Sequence, residues 1–104
     1  GHLVRGCVET TTELLAVDST GEGWRYEFAI PDDFAGLLVE KGGVAVDGVS
    51  LTVADLDDAD DRIAVAVIPE TRERTTLAER EPGDRVHIEA DPVAKYVARQ
   101  ERVA

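Results

Sequence analysis

The segment Lys41–Val53, KGGVAVDGVSLTV, constrains the fold of this chain more than any other. Valine and leucine alternate with small or polar residues on both sides of Asp47-Gly48, and a period of two is typical of a half-buried strand. Asp-Gly tolerates the positive φ angles that a tight two-residue turn requires. The segment therefore predicts a β-hairpin.

Short strand-like stretches recur along the rest of the sequence. Trp24–Ile30 alternates large apolar with mostly polar residues, whereas Ile63–Ile68 is apolar throughout, so we expect the second stretch to be buried on both sides. Further strands are predicted at Leu3–Glu9, Thr12–Val17 and Arg85–Ala90, with turns at Asp18–Gly23 and Glu81–Asp84. This pattern predicts an all-β closed barrel or sandwich, and closure is favoured because it leaves no exposed edge.

Three short helices are predicted between or after the strands. Asp32 or Asp33 can cap a turn that runs through Leu37-Leu38. Thr76 and Glu79 form a capping-box pattern. At Asp91-Pro92, Asp is a cap and Pro suits the first helical position of a helix that runs to about Glu101.

Composition narrows the possible partners. The 104 residues suit one domain spanning the whole chain, and 22 acidic against 11 basic residues give a net charge of −11. A field of this sign repels phosphate backbones, so we expect no nucleic-acid partner. No apolar run is long enough to span a membrane. The single cysteine, Cys7, cannot form an internal disulfide, which suits a cytoplasmic protein.

The sequence gives little support for a metal or cofactor. The acidic run Asp55–Asp61 lacks the glycine and the closing glutamate of a calcium loop, so we interpret it as a solvated acidic loop. Cys7, His2 and His87 make no zinc pattern, and no glycine-rich phosphate loop is visible. We therefore expect no metal and no separate cofactor.

Two segments carry candidate binding groups. Ser50 and Thr52 share a strand face just after the hairpin turn, and Glu70 and Thr71 follow the end of the strand at Ile68. Hydroxyls and backbone groups at strand ends can line a pocket for a flat, uncharged ring that forms hydrogen bonds. Taken singly, each of these residues also suits an ordinary strand, turn or surface position.

Four ordered segments together resemble one barrel of riboflavin synthase, most closely its second, C-terminal barrel. They read GHLVRGCVETTTEL, VEKGGVAVDGVSLTVADLD, VAVIPETRERTTL and PGDRVHIEADPVAKYV. The resemblance covers nearly the whole chain. It implies a six-stranded antiparallel barrel with Greek-key connections that binds 6,7-dimethyl-8-ribityllumazine or riboflavin. It also implies transfer of a four-carbon unit between two lumazines, which forms riboflavin without a metal or separate cofactor.

The resemblance also implies roles for individual residues. Those implied to be catalytic are Cys7, Asp47, Ser50 and Asp91. Those implied to bind the substrate are Gly6, Cys7, Val8, Lys41, Ser50, Leu51, Thr52, Val67, Ile68, Pro69, Glu70, Thr71 and Arg72.

Two departures from the family pattern affect these expectations. Cys7 stands where the family commonly has a histidine, and a thiol cannot replace imidazole as a base tuned near neutral pH. The family places each active site between two barrels, and this chain resembles only one. We therefore expect a homo-oligomer, a dimer or trimer, with the helix Asp91–Glu101 at a subunit contact. The alternative is a non-catalytic lumazine- or flavin-binding module. An oligonucleotide-binding barrel is disfavoured because the chain is acidic and has few aromatic residues.

Overall fold

Six antiparallel strands form a closed barrel in the part of the chain that the structure, a computed structural model, describes: residues 8–34, 36, 38–57 and 59–90. The strands are β1 (Val8–Ser19), β2 (Trp24–Ala29), β3 (Gly43–Val46), β4 (Val49–Asp57), β5 (Arg62–Val67) and β6 (Arg85–Ala90). One α-helix, α1 (Pro69–Arg74), and 3₁₀ turns at Asp32–Phe34 and Thr76–Glu79 lie between them. The prediction of an all-β barrel with short helices is confirmed.

The strand order around the barrel is β1-β2-β5-β4-β3-β6. Strands β3, β4 and β5 follow one another as hairpins, and β2 and β6 lie on the two sides of that group. Each flanking strand reaches its place by a longer connection, which is the Greek-key arrangement. This topology brings β4 beside β5, and the predicted site residues are carried by these strands and the segment after β5.

The barrel interior is filled by apolar side chains from all six strands. The expected burial of Ile63–Ile68 on both sides is only partly correct, because Ala66 and Ile68 are exposed. Tyr26 and Phe28 are fully buried, and their rings stack with centroids 6.4 Å apart. Two buried hydroxyls are paired: Thr12 Oγ1 donates to the carbonyl of Ala29 at 2.6 Å, and Tyr26 Oη donates to the carbonyl of Leu77 at 2.8 Å. Because apolar side chains occupy the interior, we look for a binding site on the outside of the barrel.

The predicted hairpin turn at Asp47-Gly48 is confirmed. Asp47 has φ 49° and Gly48 has φ 82°, so both central residues are in the left-handed region. A two-residue turn of this kind matches the right-handed twist of the flanking strands. The turn sets the β3–β4 register, in which Ala45 lies opposite Ser50 and Gly43 lies opposite Thr52.

The prediction of separate strands at Leu3–Glu9 and Thr12–Val17 is wrong within the described residues. Val8–Ser19 is one continuous strand, because its first half pairs with β6 and its second half with β2. A bulge between Leu14 and Ala16 lies within the β1–β2 pairing. Residues 3–7 lie outside the described residues.

The helices differ from the predictions in three ways. The turn at Asp32 ends at Phe34, and Leu38 is not helical. Thr75, not Thr76, caps the second 3₁₀ turn, since Thr75 Oγ1 accepts a hydrogen bond from the Leu77 N–H at 3.3 Å. The sequence analysis missed α1, which has Pro69 at its start. The predicted helix Asp91–Glu101 lies outside the described residues.

The outer face of β2, β4 and β5 carries an ion-pair network. Arg25 contacts Glu27 and Asp55, both at 3.2 Å, and Arg62 contacts Glu27 at 3.1 Å. The hydrogen bond to Glu27 raises the pKa of the Arg25 guanidinium, and burial opposes that shift.

Among the described residues, no helix is long and apolar enough to cross a membrane.

Candidate functional site

The pairing between β4 and β5 stops partway along both strands. The last paired residues are Val53 and Val65, although β4 begins at Val49 and β5 continues to Val67. Over this stretch β4 pairs with β3, and β5 pairs with β2 as far as Val67 opposite Trp24. We call the unpaired stretch, Val49–Thr52 of β4 and Ala66–Val67 of β5, the open seam.

Backbone hydrogen-bonding groups of β4 face the open seam. The N–H of Val53 donates to the carbonyl of Gly42 at 2.9 Å, and its carbonyl accepts from the N–H of Lys41 at 2.8 Å, so Val53 directs both groups toward β3. Successive residues of an antiparallel strand direct their N–H and C=O groups to opposite sides, so Thr52 and Ser50 direct these groups toward β5. Ser50 lies beyond the last β4–β5 pair, so its backbone groups are available to water or a ligand.

The hydroxyl residues of β4 lie on the outer face of the barrel beside this seam. Ser50 and Thr52 are exposed, whereas Leu51 is half-buried and packs against the core. The predicted sharing of one face by Ser50 and Thr52 is therefore correct. Both hydroxyls can reach a molecule that lies along the seam.

The other side of the open seam is the end of β5 and the start of α1. Val67 is buried, whereas Ile68 is 59% exposed although it is large and apolar. The helix begins at Pro69, a residue suited to the first turn, and the Arg72 N–H donates to the carbonyl of Ile68 at 3.0 Å. Extending the β4–β5 register past its last pair would bring Ser50 level with Ile68. A single ligand site shared by the two predicted binding segments stays a prediction.

The polar residues of α1 differ in how firmly other groups of the protein hold them. Glu70 is exposed and contacts Arg74 at 3.6 Å, and Thr71 is half-buried, with its carbonyl accepting from Thr75 Oγ1 at 2.8 Å. Arg72 is held by the barrel: its guanidinium lies 3.7 Å from the centre of the Trp24 ring, and its Nε donates to Tyr26 Oη at 2.9 Å. These contacts occupy Arg72 in fixing α1, and its predicted contact with a ligand stays a prediction.

Both carboxylate oxygens of Asp47 are hydrogen-bonded within the barrel. Its side chain is 7% exposed, one carboxylate oxygen accepts from Arg80 Nε at 2.9 Å, and the other accepts from the His87 N–H at 2.9 Å. Lys41 is exposed just before β3 with φ 69°, and its N–H donates to the carbonyl of Val53 on the β3 side of β4. Its predicted contact with a ligand stays a prediction, and Asp47 is bonded within the barrel.

The four remaining predicted site residues lie wholly or partly outside the described part of the chain. Gly6, Cys7 and Asp91 lie outside the described residues. For Val8 only the backbone is described, which pairs with Ala90 at the end of the β1–β6 ladder. In the ranges 8–34, 38–57 and 59–90, no three His, Cys, Asp or Glu side chains are grouped so that they could hold a metal ion.

The sequence analysis missed three residues that shape this region: Gly23, Trp24 and Arg80. A Cβ at Gly23 would lie 2.7 Å from the carbonyl oxygen of Val67, so only glycine lets this turn pack against the end of β5. A signal for Trp24 was its place directly after that glycine, at the start of a strand. No pattern in the sequence pointed to Arg80.

The six-stranded, closed antiparallel barrel defines the class of fold, and comparison with known proteins identifies the family. The family model described as "Lumazine binding domain" matches residues 5–91. The chain belongs to this family.

Relatives and solved structures agree with this assignment. The riboflavin synthase of Mycobacterium tuberculosis (strain ATCC 25618 / H37Rv) is 44% identical over 106 residues, which cover 100% of this chain and 52% of the relative. That of Brucella abortus (strain 2308) is 38% identical, covering 95% of this chain and 48% of the relative. LumP in complex with riboflavin has a TM-score of 0.69 at 21% identity, covering 77% of this chain and 42% of that one, which shows the shared fold. The chain spans about half the length of the riboflavin synthases that it matches.

Proposed function

We propose that this chain is a riboflavin synthase-type barrel that binds 6,7-dimethyl-8-ribityllumazine and riboflavin in the open seam. The observation that carries the proposal is the end of β4–β5 pairing at Val53 and Val65, which leaves Ser50 and Thr52 facing β5. A pteridine ring has an amide-like edge that can form hydrogen bonds with a strand in the way a neighbouring strand does.

The residues around the open seam suit the two parts of such a ligand. The backbone of Ser50 and Thr52 would bond the ring edge, and the exposed surface of Ile68 would cover one ring face. The ribityl chain is a row of hydroxyls. It can form hydrogen bonds with the side chains of Glu70 and Lys41 and with the hydroxyls of Ser50 and Thr52. Leu51, Val67, Pro69, Thr71 and Arg72 complete the proposed rim, with Gly6, Cys7 and Val8 from the start of the chain.

The proposed reaction needs no oxidant, reductant or metal, because two identical lumazines give riboflavin and a ribitylaminopyrimidinedione. A proton leaves a ring methyl, and a nucleophile adds to the neighbouring ring carbon and later departs. The four-carbon unit exchanges its two carbon–nitrogen bonds to one lumazine for two carbon–carbon bonds to the other, and the released nitrogens take up the protons. Positioned acid–base groups contribute typically about 10²–10⁴-fold, and orienting two substrates can lower the barrier by up to ~7–11 kcal/mol. We therefore propose that orientation dominates, that Cys7, Ser50 and Asp91 assist the proton transfers, and that Asp47 contributes by holding its turn in place.

The open seam lies on the outside of one barrel, so a second barrel is needed to enclose two substrates face to face. We propose that two copies of the chain meet there in a homodimer or trimer. We also propose that 1–104 is a single domain and that the protein is cytoplasmic, which its single cysteine suits.

A non-catalytic lumazine- or flavin-binding module is the less supported alternative. The relatives that are 38–44% identical are named riboflavin synthase, whereas the likeness to LumP is at 21% identity and concerns the fold. Incubating the chain with the lumazine and recording riboflavin fluorescence separates the two. Tight binding without product at protein concentrations where oligomers form would favour the module.

The binding site itself is tested by titrating riboflavin into the protein and recording flavin fluorescence, with molar mass followed by light scattering. Thr52→Val removes a hydroxyl beside the open seam, and we expect riboflavin to bind about 2–10-fold more weakly, as for the loss of one hydrogen bond. Thr11→Val is the matched control, because Thr11 is also an exposed strand threonine but lies on β1, away from the seam. Equal effects of the two variants, or no binding by the unmodified chain, would contradict the proposal.

A further inference from the structure

Asp47 is bonded to β6 through its backbone as well as its side chain. Its N–H donates to the carbonyl of His87 at 2.8 Å, while its carboxylate accepts from the His87 N–H at 2.9 Å. The remaining carboxylate oxygen accepts from Arg80 at 2.9 Å. Both carboxylate oxygens are thus held by groups of the barrel, and the side chain is nearly buried, which favours a fixed, structural use of Asp47.

Arg80 extends from a segment that is itself fixed to the barrel core. Its N–H donates to the carbonyl of Leu77 at 3.2 Å, and the same carbonyl accepts from Tyr26 Oη. Leu77 is fully buried. The Arg80 side chain is 34% exposed, so its charge lies at the edge of the barrel and is directed at Asp47.

The Arg80–Asp47 ion pair lies outside the open seam and connects its two sides. It joins the turn before β4 to the segment that follows β5 and α1. Asp47 lies in the turn that leads into Ser50 and Thr52. Arg80 lies at the end of the segment that leaves β5 and forms α1. Where strand pairing is missing, this ion pair is a contact that ties the β3–β4 hairpin to the segment after α1.

We infer that Arg80 is a positioning residue that acts through Asp47 to hold Ser50 and Thr52 at a fixed distance from α1. The inference rests on the proposed function, in that the open seam is the ligand site. An ion pair in which one partner is nearly buried is costly to break, because the remaining carboxylate loses a charged donor without regaining water. Without Arg80, Asp47 keeps its bonds to His87 and β3 keeps its pairing with β6, but the contact with the segment after α1 is lost.

The test compares Arg80→Gln with Arg80→Lys and with Arg85→Gln. Arg85→Gln removes the same charge from an exposed arginine on β6 that bonds Thr11 instead of Asp47. We expect Arg80→Gln to weaken riboflavin binding about tenfold, which is about 1.4 kcal/mol, Arg80→Lys to restore part of it, and Arg85→Gln to leave it unchanged. Equal weakening in Arg80→Gln and Arg85→Gln would overturn the inference, because it would show an effect of net charge.

Amide hydrogen exchange of the ligand-free protein gives a second, independent measurement. In Arg80→Gln we expect the amides of Asp47, Val49 and Leu51 to exchange about tenfold faster, while those of Ile63 and Val65 in the paired part of β5 keep their rates. Unchanged exchange in the hairpin, or equal acceleration throughout the barrel, would overturn the inference. This measurement needs no ligand, so absence of riboflavin binding by the unmodified chain would count against the proposed function alone.

A double mutant shows whether Arg80 acts through Asp47. If it does, Arg80→Gln adds no further loss of riboflavin affinity to Asp47→Asn, because the charged contact is already gone. Losses that add would show that Arg80 acts on the site by another route and would overturn the inference.

Discussion

The two halves of the β4–β5 contact differ although they belong to the same pair of strands. In the closed half, Val53–Asp57 pairs with Arg62–Val65, and ion pairs of Arg25 and Arg62 lie across its outer face. In the open seam the pairing is missing, hydroxyl residues are exposed, and Ile68 presents a large apolar surface to solvent.

The two halves differ because β4 changes its partner along its length, from β3 at Val49–Thr52 to β5 at Val53–Asp57, whereas β5 pairs with β2 throughout. Next to the seam, β4 is bonded to Gly42 and Lys41, and a bulge between Val53 and Asp55 changes its course. On the other side, α1 is held against β2 by the contacts of Arg72 with Trp24 and Tyr26. The candidate binding edge is thus a product of packing elsewhere in the barrel.

The largest expected effect on stability comes from truncating an apolar side chain in the closed half. Phe28 is fully buried and pairs with Ile63 on β5, so Phe28→Ala should lower the free energy of unfolding by about 3–5 kcal/mol through lost burial and a cavity. Urea unfolding followed by circular dichroism measures the change.

Ile68→Ala is the matched truncation at the open seam. Since Ile68 is 59% exposed, we expect a loss of less than about 1 kcal/mol. Similar losses for Phe28→Ala and Ile68→Ala would contradict the comparison between a packed half and an exposed one.

An effect smaller than that of Phe28→Ala is expected where Gly23 packs against the β5 side of the open seam. A methyl at Gly23 would come within 2.7 Å of the Val67 carbonyl oxygen and 3.5 Å of the Ile68 Cα, so the end of β5 must shift. We expect Gly23→Ala to destabilise the protein by about 1–3 kcal/mol, as overpacking does, and to weaken riboflavin binding. Thermal unfolding and fluorescence titration measure the two effects.

Gly43→Ala controls for the change from glycine to alanine, because a Cβ at Gly43 meets nothing within 4 Å. Its free energy of unfolding should stay within about 0.5 kcal/mol of the original. If Gly23→Ala were equally harmless, the turn before β2 would not support the end of β5.

The smallest effect is expected from the ion pairs of the closed half. Asp55→Asn removes a contact with Arg25 in which both side chains are well exposed, at 37% and 54%. Exposed pairs contribute about 0–1 kcal/mol and are screened by salt, so the difference between Asp55→Asn and the original chain should shrink at high salt. A larger, salt-independent loss in urea unfolding would mean that this pair, and not the strand ladder, keeps the closed half shut.

Local patterns predicted much of the fold and part of the site. The alternation around Asp47-Gly48 set the hairpin, since a two-residue turn and a period of two leave one register available. The same alternation placed Ser50 and Thr52 on one outward face. The break predicted between Glu9 and Thr12 failed because pairing with β6 and β2 in succession keeps β1 continuous.

The sequence by itself determined the antiparallel strands, the tight turn and the identity of the groups offered to a ligand, because side-chain alternation and turn chemistry are local properties. Only the tertiary structure decided that β4 pairs with β5 from Val53 onward and not before it, that Arg72 lies on Trp24, and that Arg80 meets Asp47. These contacts join residues far apart in the chain, and their partners are set by how the barrel closes, which no short segment encodes.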